Sequence, residues 1–123
     1  MNFRTDRKNA TGLGSGRAGT HHHWQMMVSS SLLVILVPLF VMTFAIGLGG
    51  THEEVLAYFS RPFPAIITAL SLIVGILHLM REAQSAIEDY MHGVAEKLTL
   101  IAVNAFCYTL IAIAVLALVR MAL

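Results

Sequence analysis

Charge is what this chain has least of. Asp, Glu, Lys and Arg make up 12% of its 123 residues, against 57% hydrophobic residues and a mean hydropathy of +0.74. A single soluble core of this size cannot hide that much apolar surface, so a soluble globular domain is excluded and a membrane protein is expected. The net charge of +1 leaves nothing like the dense basic surface that phosphate backbones require, which argues against nucleic acid as a partner. Cysteine is almost absent too. The lone Cys107 can form no internal disulfide and belongs to no zinc or iron–sulfur spacing, so within its apolar run it reads as a small core residue.

What is there is three long apolar stretches. The first, Met26 to Leu48, is 23 residues without a charge, enough to cross about 30 Å of hydrocarbon at about 1.5 Å per residue, with Pro38 expected to kink it. A cleavable signal peptide would have a shorter apolar core and a small-residue cleavage site, so this run reads as a permanent span. The second begins at Pro62 and Pro64. Its apolar run from Pro64 to Met80 is 17 residues long, but nothing breaks a helix before Gly93, so the helix is expected over 62–92, projecting beyond the membrane. Gly93 to Lys97 reads as a tight polar turn and Leu98 to Val119 as the third span. The expected fold is therefore an all-α membrane protein, one domain of three transmembrane helices, with no internal repeat and no room for an extramembrane domain.

Residues 1–25 read as a polar arm, irregular rather than helical, with Gly12, Gly14, Gly16 and Gly19 among Arg4, Arg7, Lys8 and Arg17. Between the first two spans, Thr51-His52-Glu53-Glu54 has the pattern of a capping box. It predicts a short surface helix carrying Val55, Leu56, Tyr58 and Phe59 into the interface. Orientation follows from the cations. Arg4, Arg7, Lys8, Arg17, Arg81 and Lys97 share one side and only Arg61 and Arg120 the other, so the positive-inside rule puts the N-terminus in the cytoplasm, or in a mitochondrial matrix, and the C-terminus outside.

One ionisable residue lies at the membrane end of the second run. His78 is costly there and is retained mainly where it binds something. On a helix at about 100° per residue, Glu82, Ser85, Asp89 and His92 fall within about 40° of it and Arg81 at about 60°, so one helix carries a polar stripe out of the membrane. A neutral imidazole in a helical bundle suits an axial position on haem iron; the alternative is a histidine hydrogen-bonded to a neighbouring helix. His21, His22, His23, His52 and His92 all fall at or beyond the membrane boundaries. A second axial histidine at the depth of His78 would therefore have to come from another chain.

Asp89 and Tyr90 lie about 16 to 18 Å further along that helix. Reducing a quinone takes two electrons and two protons, and a phenol can donate to its carbonyl while a carboxylate relays protons. An interfacial aromatic and a solvated aspartate are the alternative. Arg81 has three readings: snorkelling to the interface, pairing with Glu88, or meeting a haem propionate. Trp24 reads as an interfacial anchor. Asn104 and Tyr108 form a polar face of the third span suited to interhelical hydrogen bonds, and Ser29, Ser30 and Ser31 read as packing residues, Ser30 being also a weak quinone-site candidate.

The segment His78-Leu79-Met80-Arg81-Glu82-Ala83-Gln84-Ser85-Ala86-Ile87-Glu88-Asp89-Tyr90-Met91-His92-Gly93 resembles the second transmembrane helix of the succinate dehydrogenase hydrophobic membrane anchor, the smaller D subunit, especially its alphaproteobacterial forms. That family has a haem-ligating histidine followed eleven residues on by Asp-Tyr, often within Ile-Glu-Asp-Tyr and followed by His. The run Gly14-Ser15-Gly16-Arg17-Ala18-Gly19-Thr20 into His22-His23-Trp24 is similar to the family's approach to its first span, so the resemblance covers nearly the whole chain. Glu82 departs from it, standing where members often have glycine.

The resemblance implies that His78 is one axial ligand of haem b and so of its iron, that Tyr90 hydrogen-bonds ubiquinone, and that Asp89 supports that site and its proton supply. It implies as partners a larger cytochrome b anchor subunit bringing the second ligand and a serine and arginine at the quinone site, an iron–sulfur subunit, and a flavoprotein that oxidises succinate. The complex would carry electrons from succinate to ubiquinone, linking the tricarboxylic acid cycle to the respiratory chain in the bacterial inner membrane. Alone this chain would not be catalytic. The anchor of a quinol:fumarate reductase, or a cofactor-free structural assembly subunit, are the rival readings.

Overall fold

The computed structural model describes residues 3–12 and 18–123. Gly14, Gly16 and Arg17 of the arm lie outside the described residues. Five helices follow in order: α1 (Asp6–Thr11), α2 (Ala18–Gly47), α3 (His52–Phe59), α4 (Pro62–Tyr90) and α5 (Gly93–Ala122). α2, α4 and α5 are the three helices long and apolar enough to span a membrane.

The arm is more ordered than its glycines suggest. Thr5 caps α1 by accepting from the Lys8 amide at 3.2 Å, with Asp6 in the first turn where the helix dipole favours an anion. α2 begins at Ala18, eight residues before the uncharged run, and a hydrogen bond between His21 and Gln25 at 2.8 Å spans its first turns. Absence of charge marks the part of a helix that lipid can cover, not the helix itself. The helix also runs unbroken through Pro38.

The second correction concerns the turn after α4. The helix stops at Tyr90 rather than at residue 92, and only Met91 and His92, both extended, connect it to α5. Gly93 then opens α5 with φ of 71°, a conformation that a side chain would strain. The residues expected to form the turn, Gly93 to Lys97, are therefore the first turn and a half of α5, and Glu96 sits where the helix N-terminus favours a carboxylate.

Between α2 and α4, the capping box is formed as the pattern predicts. Thr51 Oγ1 accepts from the Glu54 amide at 3.3 Å, and Glu54 Oε2 accepts from the Thr51 amide at 2.8 Å. The apolar side of α3 does not all enter an interface: Phe59 is buried at 4% exposure against Phe44 of α2, ring centroids 5.0 Å apart and tilted by 52°. Gly47 allows this crossing, because a Cβ there would stand 2.5 Å from the Tyr58 ring.

α4 is the central helix. It packs on α2 along one side and on α5 along another, whereas α2 and α5 do not meet among the described residues. The three spans thus form an open layer, and α5 has no buried residue. The α2 seam repeats every seven residues through His22, Ser29, Leu36 and Thr43, the last three buried. The facing stripe of α4 repeats in the same way through Pro64, Ser71, His78 and Ser85, a periodicity that keeps two helices in contact along their length.

Candidate functional site

Two polar contacts tie α2 to α4 along that seam. Deeper in the bundle, Ser29 Oγ and His78 Nδ1 are 2.8 Å apart. The Ser29 hydroxyl is also 3.1 Å from the Met26 carbonyl; with its hydrogen donated there, its oxygen would accept from Nδ1–H. In that tautomer the free lone pair of His78 is on Nε2. The charged group paired with Nε2 among the described residues is Glu82 Oε1 at 3.9 Å, too far for a hydrogen bond and on a side chain 58% exposed, whereas the His78 side chain is 17% exposed. The imidazole is therefore held at one nitrogen and uncommitted at the other, the arrangement in which a histidine can serve as a metal ligand.

Beside this pair, a groove of about 370 Å³ runs between α2 and α4. Val28, Leu32, Val74 and Leu77 line its apolar length, Ser29 forms part of its wall, and His21, Gln25 and Arg81 stand at its polar end. His78 does not line this groove; its Nδ1 meets Ser29, which does. Arg81 makes no ion pair with Glu88 among the described residues, so of its three readings the pairing with Glu88 is not realised.

Nearer the end of α4, His22 Nε2 lies 3.4 Å from Ser85 Oγ. Asp89 and Tyr90 follow, both exposed, Tyr90 at 87%. They lie four and five residues beyond Ser85 on α4, away from His78. Gln84 donates through Nε2 to Asn104 Oδ1 on α5, which is the interhelical hydrogen bond expected of Asn104. Tyr108, 58% exposed, does not join it.

Ser29 is the residue that sequence reasoning misjudged. Three adjacent serines look alike, yet Ser31 donates to its own helix at the Met27 carbonyl and Ser30 is exposed, while Ser29 alone reaches another helix. The available signal was its place seven residues after His22 and seven before Leu36 on the buried stripe.

Residues 1–119 match the family described as the succinate dehydrogenase/fumarate reductase transmembrane subunit. The chain belongs to that family. As a member of the succinate dehydrogenase/fumarate reductase transmembrane-subunit family, it is similar over its whole length to the "Succinate dehydrogenase hydrophobic membrane anchor subunit" of Paracoccus denitrificans, at 47% identity over 123 residues that cover 95% of that protein. The protein of the same description from Rickettsia bellii (strain RML369-C) is 26% identical over 90 residues, covering 72% of this chain and 71% of its own length. No solved structure matches. Three apolar helices and this family together make the chain a multi-pass membrane protein.

Proposed function

We propose that this chain is the hydrophobic anchor of a succinate:quinone oxidoreductase, supplying one axial ligand of a haem b through His78 and part of a ubiquinone-reduction site through Tyr90 and Asp89. The observation that carries the reading is the Ser29 bond to His78 Nδ1, which orients the imidazole and leaves Nε2 free. Family membership supports the complex in which it would work. The chain would not be catalytic alone, its partners being a larger anchor subunit, an iron–sulfur subunit and a flavoprotein.

The residues present fit a haem. Nε2 makes no hydrogen bond among the described residues, and the exposed Glu82 makes none that holds it beside that nitrogen. Val74 and Leu77, four residues and one residue before His78 on α4, are apolar, and Arg81, three residues after it, would offer a cation for a propionate. Bound there, the group supplies a one-electron redox centre at membrane depth. Ser29 fixes the tautomer and ring orientation of the ligand. The open layer of α2, α4 and α5 leaves faces for the larger anchor subunit, which brings the second ligand. Tyr90 donates its phenolic hydrogen to a quinone carbonyl, and Asp89 passes protons toward it. The end of the bundle bearing α1, Tyr90 and His92 faces the cytoplasm, with the chain in a bacterial inner membrane, because most of the cations lie at that end.

Purification in mild detergent tests the whole reading. The expected result is co-purification of three other subunits with flavin, iron–sulfur clusters and haem b, and loss or displacement of the b-type absorbance in His78→Ala. An assembled complex with an unchanged reduced spectrum in that variant would remove the ligand assignment. Isolation without partners or pigment would favour the purely structural rival.

A further inference from the structure

Where α2 leaves the apolar region beside the end of α4, a cavity of about 310 Å³ is lined by Ala18, Gly19 and His22 of α2 and by Gln84, Ser85 and Glu88 of α4. Four of the six carry a polar side chain: an imidazole, an amide, a hydroxyl and a carboxylate. Such a cavity is polar and roomy enough for several waters at about 30 Å³ each. Its position is its second notable property. Ser85 is one helical turn from Asp89 on the same face of α4, and Glu88 is the residue beside it, so the lining of the cavity ends one turn short of the carboxylate assigned above to the quinone site.

We infer that this cavity is the proton inlet of the quinone site, with His22 as its relay, passing protons from bulk water by way of Ser85 and ordered water to Asp89. The inference rests on the quinone reading of Asp89 and Tyr90. In the isolated chain Asp89 is already wetted; once an iron–sulfur subunit covers the end of α4, a water-bearing cavity under it keeps the carboxylate in contact with solvent. Reduction of one quinone forms two O–H bonds. It consumes two electrons, delivered from succinate through the complex, and two protons from water, and His22 and Asp89 are each reprotonated so that neither is used up.

The groups facing His22 are few. Across the cavity α4 presents Ser85 at 3.4 Å, with Glu88 the titratable residue of that wall and Asp89 beyond it. On α2, His21 is bonded to Gln25 and His23 is exposed. α1 does not pack against either helix among the described residues. An imidazole that lines a water-filled cavity together with a carboxylate and a hydroxyl can take a proton on one nitrogen and release it from the other.

The test uses the assembled complex with His22→Ala. Succinate-to-quinone turnover should fall by about tenfold or more, with KM for quinone, the haem spectrum and electron transfer from succinate to a soluble dye unchanged. The solvent deuterium isotope effect should rise, and added imidazole, which fits the enlarged cavity, should restore part of the rate. Wild-type turnover in the intact variant would overturn the inlet, as would a slow variant that shows neither imidazole rescue nor a larger isotope effect. Should His22→Ala not assemble, Glu88→Gln is read by the same rate and isotope criteria, and wild-type values for both overturn it. Tyr90→Phe separates the two levels: if it too turns over at the wild-type rate the quinone-site reading falls, whereas silence at His22 and Glu88 alone removes only the inlet.

Discussion

Ser29 and His78 stand 49 positions apart in the chain and 2.8 Å apart in space, hydroxyl oxygen against Nδ1. Their bond joins α2 to α4 near the polar end of the membrane region and decides which imidazole nitrogen is available to a ligand. A partner that fixes a ligand's tautomer acts on affinity as well as on geometry.

Ser29→Ala should therefore weaken haem retention by about 10- to 100-fold without abolishing it. Titration of haem into the haem-depleted complex, followed at the b-type absorbance, checks this. Retention equal to wild type would leave Ser29 a packing residue only.

Tyr90→Phe removes one donor and little else, because the side chain is 87% exposed and makes no hydrogen bond among the described residues. Quinone reduction should fall about fivefold, the equivalent of about 1 kcal/mol for one hydrogen bond, with haem content unchanged. Steady-state assay with ubiquinone and a parallel reduced spectrum measure both.

Thr68 is 3% exposed and its Oγ1 has no hydrogen-bond partner among the described residues. Thr68→Val keeps the shape and deletes the unsatisfied hydroxyl. It should stabilise the chain by about 1 kcal/mol, raising the midpoint of thermal unfolding in detergent. A lower midpoint would show that the hydroxyl is satisfied in the assembled protein.

Gly47→Ala places a methyl 2.5 Å from Tyr58 and 3.1 Å from Phe59. Overpacking of this kind costs about 1–3 kcal/mol, and here it should push α3 off α2 and separate Phe59 from Phe44. Unfolding midpoints, together with faster proteolysis between α2 and α4, read the effect.

Much of the fold could be read locally. Uncharged runs predicted three spans, Thr51 and Glu54 predicted their reciprocal cap, and Pro62 predicted where α4 starts, because each depends on residues within a turn or two of one another. Helix ends were less legible. The start of α2 at Ala18 and the two-residue connection before Gly93 depend on backbone hydrogen bonding that continues past the apolar run, which hydropathy does not sense. The polar stripe of His78, Ser85 and Asp89 was visible for the same local reason, but the partners of its members were not.

What the sequence by itself determined is the class of protein: an all-helical membrane chain with one ionisable residue near membrane depth and a polar stripe leading out of it. Helical periodicity and the cost of placing charge in lipid suffice for that. Only the tertiary structure decided that Ser29, not Ser30 or Ser31, meets His78, that His22 meets Ser85, and that Gln84 meets Asn104. Those pairings depend on how far one helix is shifted and rotated against the next, which is set by the short connections and by packing along the whole seam.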